Sequence, residues 1–316
     1  MCKRTKSRSR LQWVIFFLEY RVQNCSSRTT WLVLLLVAVS PLAVLGSPKY
    51  PIQLDRPVKV GDSFNVRIKF HSQATKKLKT SNGQDKDTTQ GFDLDFAGIE
   101  DVLSISDGVA DKLRFVVEHC TLGGQVLIAQ GRTILVESTP KGIAVSVSGK
   151  AVEPHGDLYL VLRPLLLVKD PRRPLGHDAV FGSKEQRAIG DIWAVDPGVI
   201  VQMLSVDHLI AAKENVDGSV KLASIEGVDS NRSLRIVADV NATHLRGETG
   251  AIKVVEGSTH FEDVVVCPID LSKPVTGSTQ AYEMHVKLSG KDDDGQYITG
   301  NMDLKENVQY SIEAPR

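Results

Sequence analysis

From Phe64 onward the chain repeatedly alternates apolar and polar side chains with a period of two. Phe64, Val66, Ile68 and Phe70 fall on one side of an extended backbone, and Asn65, Arg67, Lys69 and His71 on the other. The same pattern returns at Phe92, Leu94 and Phe96; at Leu113, Phe115 and Val117; at Ile143, Val145 and Val147; at Leu234, Ile236, Ala238 and Val240; and at Tyr282, Met284, Val286 and Leu288. Alternation of this kind describes strands with one buried and one wet face, which is the arrangement of antiparallel sheets. Parallel strands covered on both faces read instead as unbroken apolar runs. The expectation is a mainly β protein, built of antiparallel curved sheets or half-barrels with a few short helices.

Between the alternating stretches the punctuation is that of turns. Ser81-Asn82-Gly83, within the polar run 75–90, predicts an exposed loop. Gly123-Gly124 predicts a hairpin, and the Asp- and Gly-rich stretch 291–295 predicts a second one joining the Tyr282 strand to residues 297–304. Val308, Tyr310 and Ile312 supply a last short strand. Residues 157–174 are apolar without alternation and predict a helical element interrupted at Pro164, the alternative being a buried strand followed by a turn. Residues 170–186, with Pro171, Pro174, Gly176 and Gly182, read as a surface linker. Asp196 followed by Pro197 predicts a helix start.

The first 46 residues differ from the rest. Arg28 and two threonines precede an apolar run, residues 31–46, that ends at small residues, the layout of a secretory signal. The expected cut follows Gly46, the rival reading being a retained membrane span. Through Gly46 there are seven Lys/Arg and one acid; 38 of each in the whole chain then leaves 31 basic and 37 acidic side chains, 31 − 37 = −6. A mildly anionic chain with only 6% aromatic residues has no general pull toward nucleic acid. Beyond the leader only Cys120 and Cys267 remain. They allow one disulfide in an oxidising compartment, the alternative being two buried thiols.

One short pattern occurs twice: Val60-Gly61-Asp62-Ser63-Phe64 and Ile189-Gly190-Asp191-Ile192-Trp193. Gly supplies the positive φ of a tight turn, Asp bonds neighbouring amides, and Phe64 or Trp193 anchors the next element. The echo indicates either two similar halves or independent re-use of a good turn. The organisation that follows is a leader, 1–46; a first β-rich half, 47–155; a helical segment and linker, 156–186; and a second β-rich half, 187–316. With these residues the chain resembles uncharacterised exported bacterial proteins that carry a Val-Gly-Asp-x-Trp/Phe turn. It is also similar, in architecture only, to periplasmic lipoprotein carriers, whose half-open barrel holds acyl chains.

Catalytic and metal signatures are sparse. No GxSxG, HExxH or glycine-rich phosphate loop occurs, and no cofactor is implied. His119 and Cys120 are strand neighbours facing opposite sides. His260 and Glu262 share a face and read as a surface ion pair. Asp292-Asp293-Asp294-Gly295 fails the twelve-residue calcium template, since Gly comes fourth and Asp303 twelfth. Asp62 and Asp191 read as turn residues in preference to paired catalytic carboxylates. Asn231-Arg232-Ser233 and Asn241-Ala242-Thr243 match glycosylation acceptors if the secretory route is eukaryotic. The expected function is an exported, non-enzymatic protein that binds a lipid or other hydrophobic ligand in a concave sheet. The alternatives are a structural or protein-binding component of the envelope and an envelope hydrolase.

Overall fold

The computed structural model describes residues 47–154, 156–172, 176–228, 231–249, 251–291 and 295–313. The leader and its expected cleavage point, and the three aspartates 292–294, lie outside the described residues. The protein is mainly β, as the alternation predicts. Strands β1 (Lys49–Ile52) and β9 (Ser183–Ala188) form a separate antiparallel ribbon. The remaining strands form one open antiparallel sheet, not closed into a barrel.

Its main path begins with β10 (Ile192–Ala194), β12 (Val216–Glu226), β13 (Ser233–Ala242), β15 (Ile252–Pro268), β16 (Gly277–Lys291) and β17 (Tyr297–Glu313). It continues through β2 (Ser63–Thr80), β3 (Asp85–Ser106), β4 (Val109–Leu122), β6 (Thr133–Thr139), β7 (Gly142–Val147) and β8 (Lys150–Ala151). Short strands β5 (Gln125–Val126), β11 (Leu209–Ile210) and β14 (Arg246–Thr249) flank β4 and β15. Six strands of the C-terminal half thus run in chain order, and six of the N-terminal half follow in chain order. The joint between them is β17 against β2, paired from Ile298 opposite Thr80 to Glu313 opposite Asn65.

Two predicted connections turn out to be regular structure. The polar run 75–90 is not a loop: β2 extends to Thr80 and β3 begins at Asp85, so only a tight turn separates them. Pairing with β17 on one side and with each other satisfies the backbone of these polar strand tips, and Leu78 and Thr80 are buried there. Residues 170–186 are likewise more than a linker, since they contain α2 (His177–Phe181) and most of β9. The last short strand predicted around Val308 is the end of β17, which runs unbroken from Tyr297.

Helical pieces are few, and they cover the apolar face of the sheet. α1 (Asp157–Val161) and a 3-10 turn, Arg163–Leu165, set Tyr159, Leu162 and Leu165 into a core with Ile68, Phe96, Phe115 and Ile134. α2 and α3 (Pro197–Val206) place Phe181, Ile200 and Leu204 in a second core with Ile236, Tyr282, Met284 and Leu304. Pro197 occupies the first turn of α3, and the Asp196 carboxylate accepts from the Gly198 amide at 2.7 Å, which is the predicted cap. The N-terminal segment belongs spatially to the second core, to which Ile52 and Leu54 contribute. It is tied there by Arg56, whose guanidinium donates to the carbonyls of Pro268 and Asp270.

Several polar groups are buried on the apolar face, within and between the two cores. The Glu306 carboxylate, almost wholly buried, accepts from Arg163 through both oxygens at 2.6 Å and from the Ser72 hydroxyl at 3.0 Å, while Arg163 lies over the Phe70 ring. Tyr310 donates to Glu100, and Ser278 to Asp263. Burial pushes the Glu100 carboxyl up to about 7 and raises that of Asp263. The Arg163–Glu306 pair anchors the helical covering segment to β17, while the Tyr310–Glu100 and Ser278–Asp263 bonds link strands of the sheet.

Candidate ligand-binding face

The two Gly-Asp turns are superimposable in their bonding. In the first, Gly61 N donates to Val102 O, Asp62 N to Lys59 O, Lys59 N to the Asp62 carboxylate, and Val102 N to Asp62 O. In the second, Gly190 N donates to Leu222 O, Asp191 N to Ala188 O, Ala188 N to the Asp191 carboxylate, and Leu222 N to Asp191 O. Both glycines have φ of 92°, a conformation that L side chains avoid. The residues that receive the turns extend the echo. Val102-Leu103-Ser104-Ile105 and Leu222-Ala223-Ser224-Ile225 each carry a register irregularity between the first and third residue. Sequence reading missed this second match, which is short and 40 residues from its turn in one half (102 − 62) and 31 in the other (222 − 191).

Phe64 packs beside the first core, and Trp193 is buried in the second with its indole N–H donating to the carbonyls of Phe181 and Gly182. Asp62 and Asp191 stand six strand positions apart, on the turns leading into β2 and β10, so they do not form a carboxylate pair. Cys120 and Cys267 are free thiols in different cores, five strand positions apart on β4 and β15, and the bridge between them is not formed. Burial raises both thiols, Cys120 to about 11, which keeps them protonated and poorly nucleophilic.

With the apolar face covered, the solvent face offers the binding geometry. Two cross-strand rows run over five strands near the joint. One is Arg235, Val266, Gly277, Ser311 and Arg67; the next contains Val264, Thr279, Gln309 and Lys69. Small residues in the middle and long cations at the ends leave a trough of about 430 Å³. Four strand spacings separate Arg235 from Arg67, roughly 19 Å along the sheet. The floor offers valine surface together with the hydroxyls of Ser311 and Thr279 and the amide of Gln309.

Several cations of the sheet meet acids across strands: Arg114 with Asp101 at 2.8 Å, Lys305 with Glu283 at 2.6 Å, Lys287 with Glu256 at 2.5 Å, and Lys112 with Glu137 at 3.1 Å, whereas Lys77 and Lys79 of β2 make no ion pair among the described residues. Arg67 and Lys69 make no ion pair or side-chain hydrogen bond among the described residues, although Asp95 lies opposite Lys69 on β3. Arg235 has a loose partner in Glu226 at 3.5 Å.

His260 and Glu262 do share the solvent face, but the expected ion pair between them is not formed; His260 lies instead 3.4 Å from Asp239, which β13 adds beside them. Sequence reading had the first two and lacked the third, because only strand pairing brings Asp239 to them. His119 is exposed and Cys120 buried, on opposite sides of β4.

No family model and no curated protein matches this chain. Among solved structures it aligns with a chain described under "Asymmetric conductivity of engineered proteins" at 8% identity, TM-score 0.15, covering 78% of this chain and 100% of that one. OmpF of Salmonella typhi, in complex with daunomycin, aligns at 9% identity, TM-score 0.16, covering 82% and 99%. A mutant of the Rh. blastica porin aligns at 10% identity, TM-score 0.14, covering 78% and 100%. TM-scores this low do not establish a shared fold.

Proposed function

We propose that this is an exported, non-enzymatic binding protein that holds an extended acidic segment of a partner protein in the solvent-face trough. The basic flank and apolar run of the leader support export. The observation that carries the binding reading is the pair of cations, Arg67 and Lys69, on the wall of this trough without an ion pair among the described residues. Leaving two like charges side by side costs free energy that an acidic ligand returns as charge-assisted hydrogen bonds. The valine, hydroxyl and amide floor suits a peptide, whose side chains alternate apolar and polar. The lipid-carrier reading is less well supported, since Tyr159, Leu162, Leu165, Phe181, Ile200 and Leu204 already occupy the apolar face.

The test is fluorescence anisotropy of a labelled glutamate-rich decapeptide with the purified full-length protein, at low and at moderate salt. Saturable binding that weakens with salt and falls at least about tenfold in Arg67→Glu/Lys69→Glu is expected, because two steering charges are reversed. Binding unchanged by that double variant removes the reading. So does preferential capture of lipid from a membrane extract without any peptide binding, which instead restores the carrier.

A further inference from the structure

On the solvent face, β13 and β15 bring together one imidazole and two carboxylates, those of His260, Asp239 and Glu262. Their donor atoms all lie within 4.8 Å of one another. Asp239 stands directly opposite Glu262, and Asn241 opposite His260. Two facing carboxylates repel, yet Glu262 has no hydrogen bond or ion pair among the described residues to offset it.

The histidine geometry bears on the same grouping. Two other histidines of this face bond their carboxylates tightly: His71 Nδ1 to Asp93 and His285 Nδ1 to Asp303, each at 2.7 Å. His260 instead presents Nε2 to Asp239 Oδ1 at 3.4 Å, beyond the usual N–H···O range. That separation is the one expected between two ligands of a tetrahedral ion, since donors about 2.1 Å from zinc stand about 3.4 Å apart. The Asn241 amide reaches the same Asp239 oxygen only loosely, at 3.3 Å. Glu283, opposite His260 on β16, is already engaged by Lys305 and leaves the triad to itself.

We propose that Asp239, His260 and Glu262 form a three-ligand site for a zinc-like divalent cation, with water completing the coordination. An imidazole with two carboxylates suits first-row transition ions, whereas calcium and magnesium favour all-oxygen shells. A bound ion cancels the Asp239–Glu262 repulsion and braces β13 against β15, next to the trough floor at Val264. This assignment stands independently of the acidic partner.

Cobalt titration of the full-length protein, read by visible absorption, and zinc competition against a chromophoric chelator test it. Wild type is expected to bind one equivalent that His260→Ala and Glu262→Gln each weaken by about tenfold or more. His285→Ala, outside the triad on the same face, is expected to bind as wild type does, with circular dichroism confirming the fold of every variant. The His260→Ala comparison also separates this site from ligands elsewhere, such as Cys2 and Cys25. Absence of binding by wild type, or equal affinity in wild type and His260→Ala, overturns the assignment.

Discussion

Glu100 makes the stability of this protein depend on pH in the direction opposite to ordinary acid denaturation. Its carboxyl is buried on the apolar face of β3, where desolvation outweighs the hydrogen bond from Tyr310 and lifts it from 4.5 to about 7. Between those values the folded chain keeps a proton that the unfolded chain has released. The unfolded state then binds fewer protons, and stability falls as pH rises. The contribution is complete below the unfolded value and is lost as pH climbs through the folded one. A displacement of this size corresponds to about 3 kcal/mol. Asp263, also raised by burial, acts in the same direction. Asp107, Glu256 and Asp270 are lowered by their partners and act oppositely, but their loss occurs below the ordinary carboxylate range and leaves the window from pH 5 to 7.5 clear. The assay is urea unfolding by far-ultraviolet circular dichroism across that window, in parent and Glu100→Gln; glutamine keeps an acceptor for Tyr310 and cannot ionise. The parent is expected to lose stability toward pH 7.5. Because the window from pH 5 to 7.5 spans only part of the full displacement, the variant is expected to be less pH-dependent by about 2 kcal/mol, a midpoint difference of roughly 1 M urea. Equal slopes in the two proteins, or a parent that grows more stable from pH 5 to 7.5, refute the reasoning.

Other substitutions probe the joint and the turns. Arg163→Met strands the Glu306 carboxylate in the core and is expected to cost about 3–5 kcal/mol by urea unfolding, most of it recovered when Glu306→Gln is added. Gly61→Ala and Gly190→Ala meet no atom within 4 Å, so each measures the cost of positive φ alone. Two equal losses of about 1–2 kcal/mol are expected in thermal melts, and unequal losses would show that the two turns are not equivalent. Peptide mapping after brief exposure to a thiol reagent is expected to find Cys120 and Cys267 unlabelled in native protein and labelled in urea, consistent with raised, buried thiols.

Much of the sheet is legible in the sequence because burial writes itself at period two. The Phe64, Leu94, Phe115, Leu234 and Tyr282 series each mark a strand whose apolar side is the observed core. The tips of β2 and β3 are not legible. Their Lys, Thr and Asp residues match a loop composition, and it is the distant strand β17 that completes the β2 ladder. The β1–β9 ribbon is equally hidden, since its short strands carry no sustained alternation. The candidate sites are less legible still. Neither Arg67 with Ser311, nor Asp239 with His260, forms a local motif; strand register creates both neighbourhoods. Local spacing found His260 and Glu262 because i and i+2 on a strand share a side, and it had no means of finding the residue across from them.

The duplicated turn acquires a physical consequence from the order of the sheet. Six strands follow six, so β10 occupies in the second half the place that β2 holds in the first, and β8 the place that β17 holds. β17 and β2 are 17 and 18 residues long, and their mutual pairing joins the halves. The corresponding free edges, β8 and β10, have only 2 and 3 residues. Full-length strands at those edges would let β8 of one molecule pair with β10 of the next, repeating the internal joint without end. Cutting both edges short removes the ladder on which such growth depends. The same joint that unites two units within one chain is thereby withheld between chains, and the wet face beside it is left open to a different partner.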